Sequence, residues 1–124
     1  MKGLPFILFA VAAICAVIGM AWGIVMSASG DHTLSPAHAH LNLLGWVSLA
    51  LFGTFYHLVP NAGASMIAKI QAAVAIAGVV LIVPGIAMAI NQAGEALAKI
   101  GSLLTILSMV IFLIVLVTKG RAPA

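Results

Sequence analysis

Charge is what this sequence has least of. Only 6% of its 124 residues are charged, against 65% that are hydrophobic, which leaves too few polar side chains to cover a soluble globule. The chain is therefore read as an integral membrane protein. Asp31 and Glu95 are its two acidic residues, set against five basic ones for a net charge of +3. No basic stripe forms, so a nucleic-acid partner is excluded. A single cysteine, Cys15, excludes an internal disulfide, a Cys-x-x-Cys-His attachment and a thiolate metal cluster. It reads as packing. Also missing is the alternation of apolar and polar residues that a membrane barrel requires.

What is present is four apolar runs, at about 4–27, 36–59, 65–90 and 96–118, each as long as the roughly 20 residues that a spanning helix needs. The fold class is all-α and membrane-embedded, with residues 1–124 as one domain of four transmembrane helices. An even number of spans puts both termini on one side, with Lys2, Lys69, Lys119 and Arg121. Only Lys99 falls on the other, beside Asp31 and Glu95. The excess of positive charge predicts cytoplasmic termini in a bacterial-type inner membrane, with His32, His38 and His40 toward the periplasm. Lys2 and its apolar run imitate a signal peptide, but the run is longer than a typical signal core and is read as a span.

The first run carries Ala12, Ala13, Ala16, Gly19 and Gly23, small residues that let a neighbouring helix come close. Trp22 is expected near the outer interface. In the third run, Pro84-Gly85 predicts a kink. Glu95 is expected in the first turn of the fourth helix, at the positive end of its dipole, while Ser102, Thr105 and Ser108 are expected to bond back to their own backbone.

The second run is different, because three of the four histidines lie in it: Ser35-Pro36-Ala37-His38-Ala39-His40-Leu41-Asn42-Leu43-Leu44-Gly45-Trp46, continuing to Phe55-Tyr56-His57-Leu58-Val59-Pro60. Ser35 is a suitable N-cap and Pro36 a suitable first residue, and Pro60 requires the helix to end before it. Polar side chains in hydrocarbon need partners, so these histidines are the functional candidates. Two positions along a helix differ by about 200°, so His38 and His40 point to opposite flanks and do not chelate one metal. They serve two cavities. Asn42, one turn from His38, is placed to hydrogen-bond a ligand, while Gly45 and Gly53 leave room for a large flat partner. Neutral imidazole is a good ligand for a metal within the membrane, and haem is such a partner that also wants apolar walls. His57 lies about 25 Å further along the axis and cannot share that haem; beside Tyr56 it reads as an interfacial anchor. His32, in the polar loop, reads as solvated. The plainer reading of His38 and His40 is satisfaction by water and headgroups.

The string His40-Leu41-Asn42, Trp46, Phe52-Gly53, Tyr56 and Leu58-Val59-Pro60 resembles the second helix of subunit I in the haem-copper oxidase superfamily, above all its nitric oxide reductase branch. The resemblance covers about 25 residues. It implies that His40 is an axial ligand of a low-spin, non-covalent haem b, with Asn42, Gly45 and Trp46 nearby. His38-Ala39-His40 is similar to the His-x-His pair on the family's tenth helix, which serves two haems. Family subunits have at least twelve helices in three arcs of four, and this chain supplies one arc. It lacks the copper-site histidines, the cross-linked tyrosine and the reductase glutamates, so by itself it is not expected to reduce oxygen or nitric oxide. The resemblance joined to the opposed flanks implies a twelve-helix homotrimer in which His38 of one copy and His40 of the next ligate each haem.

Bis-histidine ligation leaves no open coordination position, which points to electron transfer, with haem or gas sensing if one ligand is displaced. Two other classes stay open: an accessory structural subunit of a respiratory oxidase or reductase, and a copper-handling membrane protein using His32, His38 and His40 with Met20 and Met26 nearby.

Overall fold

The computed structural model describes residues 1–121. Four of its helices are long and apolar enough to cross a membrane: Leu4–Ser29, Ser35–Leu58, Met66–Ile90 and Ala96–Lys119, termed here the first to fourth spans. No strand occurs among the described residues. The four expected runs are all present, with ends shifted by up to two residues. The second span begins at Ser35 itself, with Leu34 as the preceding residue and no side-chain cap, so Ser35 is not the N-cap. It ends at Leu58, and Pro60–Gly63 forms one further turn, because proline excludes helical geometry from the residue before it.

Consecutive spans pack side by side, and the third and fourth make the most extensive contact. Their separation is set by missing side chains. A Cβ on Gly101 would lie 2.6 Å from the Ile82 backbone nitrogen and Cα, and one on Gly85 would strike the backbone of Leu97 and Ala98. Each helix thus touches the other's main chain, the association that small residues permit where no hydrophobic force drives helices together. Pro84 is exposed and its span continues unbroken to Ile90, so the expected kink does not divide the helix. The turn that follows places Gln92 and Gly94 at φ of 62° and 117°. Glu95 lies just ahead of the fourth span and pairs with Lys99 at 3.3 Å, both strongly exposed, a pair worth little to stability.

The main apolar core joins all four spans through Leu8, Ala12, Leu49, Phe52, Tyr56, Ala68, Ala72 and Val115. Within it runs a buried polar chain. The Tyr56 hydroxyl donates to Gln71 Oε1 at 2.8 Å, and Gln71 Nε2 donates to the Ser108 carbonyl at 3.3 Å, tying the second, third and fourth spans together. Ser102, Thr105 and Ser108 donate to carbonyls of their own helix as expected. What the sequence does not announce is that Ser108 also offers its carbonyl across the bundle.

Loss of either end of the Tyr56–Gln71 bond strands the other in the core. Tyr56→Phe leaves Gln71 Oε1 without its donor, and Gln71→Leu leaves the Tyr56 hydroxyl without its acceptor, so each is expected to cost about 2 kcal/mol. The double variant strands neither end of that bond and is expected to cost less than the sum of the two. Unfolding of the three variants in mixed detergent would measure this, and strictly additive losses would refute the idea that Gln71 satisfies Tyr56.

The second span is not a uniform α-helix. Residues Ser35–His40 and Leu49–Leu58 are α-helical, and Leu41–Ser48 between them is a π-helix. Ala37, Leu41, Gly45 and Leu49 are all buried, a row with a spacing of four. In a pure α-helix such a row drifts by about 40° per step. The wider π turn offsets that drift and keeps all four residues against their neighbours. A π segment beside a candidate site is also where such segments concentrate.

Candidate functional site

His38 and His40 stand on the turn that precedes the π segment, and their side chains do diverge. Ala37 and Leu41 face the interior between them, Leu41 in a cluster with Cys15 and Val79. On one flank His38 turns toward the first span. Its Nε2 lies 2.9 Å from the Gly19 carbonyl and 3.1 Å from Asn42 Nδ2, and its ring meets Trp22 edge-on with centroids 5.8 Å apart. Space for this comes from two glycines of the first span. Gly23 faces His38 Nε2, and a Cβ on Gly19 would collide with Asn42 Oδ1.

One imidazole nitrogen carries either a proton or a lone pair, never both. If Nε2 is protonated it donates to the Gly19 carbonyl, and the Asn42 amide serves it best with its oxygen turned toward the ring. If Nε2 is bare it accepts from Asn42. In both tautomers Nε2 of His38 is used within its own chain.

His40 is placed in the opposite way. Its Nδ1 donates to the Pro36 carbonyl at 2.7 Å, one turn back along its own helix. That hydrogen bond fixes the ring and its tautomer, leaving the Nε2 lone pair directed away from the backbone. Nε2 makes no hydrogen bond among the described residues, and Leu43 and Val47, three and seven positions on, are 61% and 40% exposed. A histidine whose Nδ1–H is held by a carbonyl and whose Nε2 is free is arranged as a metal ligand is.

The remaining candidates divide. Asn42 Nδ2 lies 3.1 Å from His38 Nε2, and its Oδ1 fills the space that a Cβ on Gly19 would take, so its amide is packed against the first span. Gly45 does not open the helix surface: a Cβ there would lie 2.8 Å from Cys15 Sγ, and at Gly53 one would lie 2.8 Å from Phe9 Cδ2. Both glycines are filled by the first span. The sequence does not say which face of the helix meets a neighbour, and here both glycines lie on a face that does. Trp46 is 37% exposed, on the outside of the bundle. His57 is exposed at the opposite end. His32 is exposed in the loop, its Nδ1 3.3 Å from the Gly30 carbonyl. There Thr33 donates to Asp31 Oδ1 through its hydroxyl at 2.6 Å and its N–H at 3.0 Å, which holds the Asp31 carboxyl below its ordinary value.

Among the described residues no three His, Cys, Asp or Glu side chains come together as a metal site. A copper centre made of His32, His38 and His40 is therefore not assembled within one chain. Met20, named with it, is 65% exposed, whereas Met26 is buried.

Toward a haem the two histidines differ. His40 fits an axial role, and His38 fits one only if its ring leaves the Gly19 carbonyl. No family model, curated protein or solved structure matches the chain.

Proposed function

We propose that this chain is a membrane b-type haem protein whose haem is held between copies, with His40 as an axial ligand through Nε2. The observation that carries the reading is the hydrogen bond from His40 Nδ1 to the Pro36 carbonyl, which orients the ring and leaves Nε2 with no hydrogen-bond partner among the described residues. The similarity of His40-Leu41-Asn42, Trp46 and Leu58-Val59-Pro60 to the haem-copper oxidase helix supports it. The other axial ligand is His38 of a neighbouring copy, freed by rotation of its side chain. That rotation gives up a hydrogen bond worth about 1 kcal/mol net. Repetition around a closed ring gives a homotrimer in which every histidine of the pair is used. Haem with two imidazole ligands supplies reversible one-electron chemistry without an open position. The role that follows is electron transfer, or sensing where a gas displaces one ligand.

The contact between His38 and the Gly19 carbonyl favours a second reading. In it His38 stays tied to the first span, orienting the helix, and two His40 side chains share one haem across a dimer. Optical spectra of the detergent-purified protein, oxidised and reduced, with haem and mass determination, test both. A low-spin spectrum with one haem per chain and a trimeric mass supports the first, and one haem per two chains in a dimer supports the second. A colourless protein after expression with ample haem refutes haem binding and leaves the accessory-subunit reading.

A further inference from the structure

The end of the bundle remote from His40 carries a pocket that the proposed function does not use. Its volume is 580 Å³, and Lys2, Leu4, Pro5, Tyr56, His57 and Pro60 are among the residues lining it. The polar side chains at its mouth are donors, Lys2 and His57, both exposed. Lys69, Lys119 and Arg121 lie at the same end of the spans, and the two acidic residues, Asp31 and Glu95, lie at the other. The pocket is therefore complementary to an anion, with no carboxylate at its end among the described residues.

Its apolar walls decide what kind of anion. Leu4 and Pro5 open the first span, and Phe6, Ile7 and Leu58, which follow lining residues in the sequence, are apolar and 57%, 51% and 72% exposed. A soluble phosphate would gain nothing from these surfaces. A phospholipid would lay its acyl chains along them while its phosphate sat level with Lys2, at the depth where lysines near helix ends extend to the interface.

We infer that this pocket is a binding site for an acidic phospholipid, with Lys2 and His57 holding the headgroup phosphate. A cation close to an anionic headgroup contributes about a fivefold preference. The test uses the full chain in phosphatidylcholine vesicles doped with spin-labelled phosphatidylglycerol or spin-labelled phosphatidylcholine, reading the immobilised fraction of each. Phosphatidylglycerol is expected to be favoured about fivefold or more. Lys2→Gln is expected to remove most of that preference and His57→Leu part of it. Lys119→Gln, at the same end but outside the pocket, and Lys99→Gln, at the opposite end, are expected to leave it unchanged. Equal immobilisation of the two lipids overturns the proposal. So does a loss in Lys119→Gln as large as in Lys2→Gln, which would mean diffuse surface charge. Release of the labelled lipid by millimolar glycerol phosphate at fixed ionic strength would assign the pocket to a soluble anion instead.

Discussion

Replacing His40 with alanine is expected to strip haem from the purified protein, leaving less than about a tenth of the wild-type content per chain, because in either proposed assembly each haem loses at least one axial bond. The effect is large because the same histidine recurs in every copy. His40→Gln keeps much of the volume and some hydrogen-bonding capacity but is a poor iron ligand, so it is expected to fail equally. His32→Ala and His57→Ala change exposed side chains outside the proposed ligand pair and are expected to retain haem. His38→Ala separates the two assemblies: the trimer loses its haem, and the dimer keeps it with some loss of stability from the vacated contact with Gly19. Full haem content in His40→Ala, read from the pyridine haemochrome spectrum, would remove the central claim.

Gly101→Leu is expected to be the most disruptive single change to the fold. Even its Cβ would sit 2.6 Å from the Ile82 main chain, and backbone cannot rotate out of the way as a side chain can. The third and fourth spans must separate or slide, at a cost of about 3 kcal/mol or more, the upper part of the range for overpacking. Gly101→Ala is expected to cost about 1–2 kcal/mol for the same reason. Leu103→Ala, two residues on and 68% exposed, is the control, and in detergent it is expected to unfold as the wild type does. Because His40 is on the second span, Gly101→Leu acts on haem content only through loss of the fold. Unchanged unfolding of Gly101→Leu would show that these two helices do not meet as described.

Some of this was readable residue by residue. Run length and the scarcity of charge set four spans, since a bilayer admits few other structures. Pro60 set where the second helix ends, and the two-residue spacing of His38 and His40 set their opposite directions. Each of these follows from local geometry that no neighbour alters.

Other features were decided only by the assembled bundle. The partner of His38 is a carbonyl nineteen residues back, on another helix. The roles of Gly45 and Gly53 as seats for Cys15 and Phe9, and the chain from Tyr56 through Gln71 to Ser108, likewise depend on which faces meet. The π segment at Leu41–Ser48 depends on the same thing, because π turns are rare on their own and this one keeps a row of residues in contact with its neighbours. Amino-acid identity alone determined that the chain enters the membrane as four helices with two diverging histidines. Tertiary contact decided that one imidazole is turned toward another helix while the other bonds only to its own turn, since the Gly19 carbonyl of the first span lies beside His38 and no other span offers His40 a partner among the described residues.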